Sequence, residues 1–191
     1  KLFEHYKNIP IVGVTATAMA RGLGREYPWG KLFQDIVCPI TIPELIEQGY
    51  LVDVDIYAPS EPDLSGVKIV AGDYHEGQLA DAMDTAPLNG NVVDTWIKLA
   101  ENRPTLVFGV DCAHARNLRD SFLAAGIPTG YQDAETDARE RAQIKRDFHS
   151  GTLKVVCNVG TLTTGVDWDV RCISLVRPTK SEMLYVQIIG R

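Results

Sequence analysis

Three short apolar runs in the second half of the chain constrain its fold most: "PTLVFGV" (104 to 110), "LKVVCNV" (153 to 159) and "RCISLVRP" (171 to 178). A strand with one wet face alternates polar and apolar residues. A run that stays apolar on both sides must be covered on both faces, which is the condition of a strand inside a parallel sheet. The segments between these runs carry helical spacing. "DCAHARNLRDSFLAAG" (111 to 126) predicts a helix closed by Gly126. "DARERAQIKRDFHSG" (137 to 151) predicts another, opened by Asp137 with Glu140 three residues on and stopped at Gly151. "IPTGYQ" supplies a short strand between them, and "SEMLYVQIIGR" (181 to 191) a final helix. Strand, helix, strand, helix, strand, loop, strand, helix spells an α/β fold: a parallel sheet with helices on both faces, in three layers.

The first half is less regular. "NVVDTWIKLA" (91 to 100) predicts a helix burying Val92 or Val93, Trp96 and Leu99 or Ala100. "TIPELIEQGYL" (41 to 51) predicts a helix that Gly49 can close, and "VDVDIYAP" (52 to 59) alternates like a half-buried strand. "IPIVGV" near the start reads as one buried strand leaving into a Thr, Ala and Gly loop. "APSEPDLSG" (58 to 66) has the Pro, Ser, Gly and acid content of a connector, so a domain boundary is expected near residue 58.

At 191 residues, 45% hydrophobic and 23% charged, the chain has ordinary globular composition. No apolar run approaches the roughly 20 residues of a membrane span, and "KLFEHYKNIP" lacks a secretion signal's apolar core, so no membrane partner and a cytoplasmic location are expected. Cys38, Cys112, Cys157 and Cys172 stand far apart without metal-ligand spacing, and no metal site is expected from them. The net charge of -6 hides a lopsided distribution. Residues 51 to 101 carry ten Asp or Glu against Lys68 and Lys98, whereas residues 171 to 191 carry Arg171, Arg177, Lys180 and Arg191 against Glu182. A polyanion would therefore meet the C-terminal third, with the acidic middle turned away; a mixed solvated surface fits the charges equally.

After "VVCN" the chain turns into "VGTLTTGVDWD" (159 to 169), which has almost nothing with which to build a core. Ligands of open parallel sheets bind outside the carboxyl ends of the strands, where this loop belongs. Gly160 and Gly165 permit close backbone approach, Thr161, Thr163 and Thr164 offer hydroxyls, and Asp167 offers an acceptor suited to a ribose hydroxyl. The same residues also fit a tight surface turn that touches nothing. Gln187, Gly190 and Arg191 share one face of the final helix, and an Arg held there suits an anionic phosphate.

"FHSGTLKVVCNVGTLTTGVDWDVRCISLVRPTKSEMLYVQIIGR" resembles motifs V and VI of superfamily 2 helicases of the DEAD/DEAH type, in their DNA-repair and restriction branch. "VGVTATAMARGLG" resembles motif III, and "PTLVFGVDCAHARNL" motif IV, in the same order along the chain. The resemblance implies a RecA-like sheet. It makes residues 1–58 the end of a first RecA-like domain plus the crossover, and residues 59–191 most of the second. It implies ATP with Mg2+ bound between the two domains, and DNA, duplex or branched, ahead of RNA as the track. Thr15, Ala16 and Thr17 would couple nucleotide to strand; Gly165 and Asp167 would face the nucleotide; Asn158 and the loop with Gly160, Thr161, Thr163 and Thr164 would lie near the nucleic-acid backbone. Gln187 and Arg191 match the start of Q-x-x-G-R-x-x-R, with Arg191 meeting the γ-phosphate.

The sequence departs from that pattern at Ala18, where Pro usually follows T-A-T, and at Ala134, where Gly often stands. More importantly, it contains no G-x-x-x-x-G-K-[ST] loop and no D-E-x-H motif, and the second motif VI arginine is not in it. This chain alone is therefore expected to be inactive as an ATPase. A non-enzymatic RecA-like module that binds nucleic acid or protein is the alternative. A Rossmann-type nucleotide binder finds no G-x-G-x-x-G after a strand. Trp96 is expected in the core and Trp168 in packing rather than base stacking; Arg139, Arg141, Lys145, Arg146 and Lys154 are expected mostly to solvate a helix; His5, His75, His114 and His149 receive no role.

Overall fold

A computed structural model describes residues 9, 10, 12–14, 37–163 and 167–190. The chain divides into two units, Lys1–Pro39 and Ile40–Arg191. In the first, the described apolar residues Ile9, Val12 and Val14 are exposed rather than buried as expected. A strand needs a neighbour to bury its faces, and none is formed among the described residues there.

The second unit opens with helix α1 (Ile42–Glu47), where Thr41 and Glu44 form a reciprocal capping box. Gly49 sits at φ 76, the left-handed conformation that ends a helix. The strand expected over residues 52–59 is not formed: Val52, Val54 and Ile56 are exposed, because alternation alone makes a strand only where a sheet edge receives it. A hairpin follows, β1 (Ile69–Val70) antiparallel to β2 (Asp73–Tyr74), then α2 (Glu76–Met83). Helix α3 runs Ala86–Leu99, starting earlier than its apolar spacing indicates because Thr85 caps it and a Pro occupies its first turn. Of its predicted core positions Val93, Trp96 and Ala100 are buried, while Leu99 is exposed.

The rest is the predicted alternation: β3 (Thr105–Phe108), α4 (Cys112–Ala124), β4 (Thr129–Gln132), α5 (Ala138–His149), β5 (Val155–Asn158), β6 (Cys172–Leu175) and α6 (Glu182–Ile189). The four long strands form one sheet in the order β4-β5-β3-β6, all parallel. Asp111, Asp137 and Ser181 cap α4, α5 and α6 with their side chains.

Each buried strand sends alternate residues to opposite faces. Val107, Val155 and Cys157 join Leu79, Val93, Trp96, Leu118 and Phe122 beneath α2, α3 and α4. Leu106, Phe108 and Val156 join Ile144, Phe148, Leu162 and Ile188 beneath α5 and α6. The fold is a three-layer α/β/α RecA-like domain. Trp96 is a core residue, edge-on to Phe122 at 5.9 Å, with its Nε1 donating to Thr105 Oγ1 at 2.6 Å. Trp168 packs on Phe148, ring centroids 5.1 Å apart. Burial pushes the Cys157 thiol well above its ordinary value, as suits an inert core cysteine.

At the carboxyl end of β3, a Cβ on Gly109 would stand 2.9 Å from the Ala115 Cβ and 3.0 Å from its Cα. The backbone turn here passes so close to α4 that no side chain fits. Gly109→Ala is predicted to cost about 1–3 kcal/mol as the helix is pushed off the sheet. Its urea midpoint, measured against that of the unaltered chain, checks this.

Candidate nucleotide and nucleic-acid site

The carboxyl ends of the four parallel strands bring together the loop after β5, the turn after β4 and the chain entering α6. Asn158, the last residue of β5, is fully buried. Its Nδ2 donates to the Val107 carbonyl of β3 at 3.0 Å, and its Oδ1 accepts the Leu162 amide at 3.3 Å. The side chain therefore ties the strand ladder to the loop. Gly160 lies at φ 65, where L side chains are strained, and no described residue lies within 4 Å of where a Cβ would be. Thr163 turns its hydroxyl inward to the Gly160 carbonyl at 2.9 Å. Leu162, 2% exposed, plugs the loop into the same core that holds Ile188 of α6.

Thr161 remains half-buried at the rim, where Gln132 at the end of β4 donates to its hydroxyl at 3.4 Å. Gln132 is buried, and its Oε1 has no hydrogen-bond partner among the described residues. Asp167 is exposed beyond the loop. Gln187 is half-buried in the last turn of α6, one residue before Ile188. Thr15, Ala16, Thr17, Thr164, Gly165 and Arg191 lie outside the described residues. The structure thus gathers Asn158, Gly160, Thr161 and Thr163 on one loop, and one apolar core joins that loop to the helix of Gln187.

Two polar anchors were not visible in the sequence. Asp133, 3% exposed, accepts the Tyr131 hydroxyl at 2.6 Å and Arg116 at 3.1 Å, and also binds the amides of Glu135 and Thr136. The Tyr131 bond, aided by Thr136 and Glu135 against the opposing effect of burial, holds the Asp133 carboxyl down to about 2. Burial, with the same bond, pushes the Tyr131 hydroxyl up. Arg141 spans this turn by donating to the carbonyls of Thr136, Asp133 and Ala134, so it braces the turn instead of solvating its helix. Arg116 stacks over the Tyr131 ring at 4.9 Å.

The second anchor is Asp73 in the hairpin. It accepts the Thr179 hydroxyl and the Lys180 amide, both at 2.8 Å, while Arg177 faces Glu76 at 3.9 Å. Two acidic residues of the middle, Asp73 and Glu76, therefore face the basic C-terminal third. At this point the two meet.

The Helicase conserved C-terminal domain family matches residues 90–191, more than half of the chain, including the loop after β5 and helix α6. The chain belongs to that family. Its motif order places this helicase domain in superfamily 2. The "Putative ATP-dependent helicase IRC3" of Saccharomyces cerevisiae is 33% identical over 204 residues, covering 100% of this chain and 29% of the yeast protein. A 51.5 kDa protein of a Lactococcus phage is 30% identical over 195 residues, covering 98% of this chain and 41% of its own length. UvrABC system protein B of Dehalococcoides mccartyi is 26% identical over 125 residues, covering 60% and 19%. This helicase domain thus spans well under half the length of the relatives it matches. Among its described residues no helix is long and apolar enough to cross a membrane, and no group of three His, Cys, Asp or Glu could hold a metal ion.

A carboxyl held near 2 when folded and near 3.9 when unfolded stabilises the fold fully above the unfolded value, and that contribution is lost as pH falls through the folded one. Asp133→Asn is predicted to lower stability at neutral pH by about 2 kcal/mol and to flatten the acid limb between about pH 4 and 2. Chemical denaturation across that pH range checks both effects.

Proposed function

We propose that this chain is the C-terminal motor domain of an ATP-dependent DNA helicase or translocase. The observation that carries the reading is the shared anchoring of the loop after β5 and helix α6. Leu162 and Ile188 sit in one core, so a ligand gripped by the loop and one met by the helix are mechanically linked. The name of one relative agrees with it, the yeast "Putative ATP-dependent helicase IRC3".

In this reading residues 59–191 form the second RecA-like domain, and residues 1–58 the end of the first with the crossover. Thr161 and the amides around Gly160 would meet phosphate oxygens of a nucleic-acid strand, with Asn158 and Thr163 holding the loop's shape. Asp167 and Gly165 would lie at the ribose side of ATP. Arg191, following Gln187 and Gly190 in sequence, would stabilise charge developing on the γ-phosphoryl group during its transfer to water. ATP and Mg2+ would take their main contacts from a phosphate loop and a carboxylate motif that this sequence does not contain. Closure of two such domains on ATP would alter the loop's grip on DNA. RNA contains the same phosphates, and the preference for DNA rests on the resemblance to the repair and restriction branch.

ATP hydrolysis by the full-length protein carrying this chain, measured without nucleic acid and with single-stranded DNA, duplex DNA and RNA, tests the reading. DNA is expected to stimulate turnover most, Arg191→Ala to lower it on the order of a thousand-fold, and the isolated chain to show background only. Flat turnover under all four conditions would favour a binding module without catalysis.

A further inference from the structure

Strand β1 of the hairpin adds little to the core, although Tyr74 of β2 packs against it. Ile69 and Val70 are 57% and 55% exposed, and β1 pairs with nothing among the described residues except β2. Its two-residue turn puts Ala71 at φ 53 and Gly72 at φ 91, a conformation that alanine adopts only at a cost. What the turn achieves is the placement of Asp73. One carboxylate oxygen accepts the Lys180 amide at 2.8 Å and the Tyr74 amide at 2.9 Å; the other accepts the Thr179 hydroxyl at 2.8 Å.

Those two residues open the turn into α6. With its proton directed to Asp73, the Thr179 hydroxyl accepts the Ser181 amide at 3.0 Å. The Ser181 hydroxyl in turn accepts the Leu184 amide at 3.3 Å as the N-cap of α6. Hydrogen bonds joined covalently through Ser181 thus lead from a hairpin more than a hundred residues upstream into the first turn of the helix. Two further contacts flank it: the Lys180 ammonium lies 5.2 Å from the Tyr74 ring centroid, and Arg177 faces Glu76 at 3.9 Å.

We propose that Asp73 is a positioning residue that clamps the Thr179–Lys180–Ser181 turn and so sets where α6 starts and how it lies on the sheet. Its consequence for catalysis rests on the function proposed above. The helix so held carries Gln187 and leads to Arg191, and a reacting group displaced by about 1 Å can lose up to a hundred-fold in rate. A carboxylate suits this task because its two oxygens accept three hydrogen bonds at once, two of them from the turn and one from its own strand.

The test uses the full-length protein with Asp73→Ala and Asp73→Asn. In Asp73→Ala the amides of Leu184 and Tyr185 are expected to exchange hydrogen about ten-fold faster, with those of β3 and β5 unchanged. Turnover with nucleic acid is expected to fall roughly ten-fold while the KM for ATP and the affinity for DNA stay within about two-fold. Asp73→Asn keeps an oxygen for the Lys180 amide and is expected to recover most of both effects. Unchanged exchange in α6 overturns the clamp, as does faster exchange throughout the domain, which would make Asp73 a general stabiliser. Loosened α6 with undiminished turnover overturns its catalytic consequence. Should the unaltered protein hydrolyse no ATP, the motor reading fails, and the exchange of α6 still decides the clamp.

Discussion

Strand β3 pairs in parallel with β5 on one side and β6 on the other, and every other element takes its place from that double pairing. All four residues of β3 are buried, as are all four of β5. Such strands can exist only if helices cover both faces. The ladder then dictates the site, because parallel strands end together and their loops must crowd at one edge. Crossing from β5 to β3, the Asn158 amide converts the end of that ladder into a support for the loop beyond it. A buried amide satisfied at both ends stiffens what it holds.

The domain couples its parts by two different means. Apolar packing through Leu162 and Ile188 joins the loop after β5 to α6 beneath the sheet's edge. Polar clamps act above it: Asp133 gathers Tyr131, Arg116 and the turn after β4, and Asp73 gathers the turn into α6. Packing sets distance but tolerates rotation, whereas a carboxylate that accepts several bonds fixes orientation as well. Helix α6 is held by both, through Ile188 and through the turn that Asp73 binds.

Much of the sheet was legible. The mainly apolar character of residues 104–110 and 153–159 identified buried strands, and Gly126 and Gly151 marked helix ends, both at positive φ in the structure. What escaped were pieces whose patterns are shorter than any period. The hairpin has two residues per strand, and α2 occupies eight residues inside an acidic stretch where charge obscures Leu79, Ala80 and Met83. The strand expected at 52–59 shows the opposite error. Its alternation is real, yet nothing among the described residues receives it. In the site, residue types pointed to the loop, but they could not reveal that Asn158 and Thr163 turn inward while Thr161 stays at the rim.

By itself the sequence determined the layer architecture and the family, because these follow from local composition and from motifs in a set order. Tertiary structure alone decided which polar residues are braces. Asp73 and Thr179 stand 106 positions apart, and Asn158 and Val107 stand 51 apart. No periodicity spans such distances; only the closing of the sheet brings those atoms within hydrogen-bonding reach. The charge pattern carries the same lesson. Counted along the chain, the acidic middle and basic end are separate regions, whereas in the fold their contact holds the start of α6.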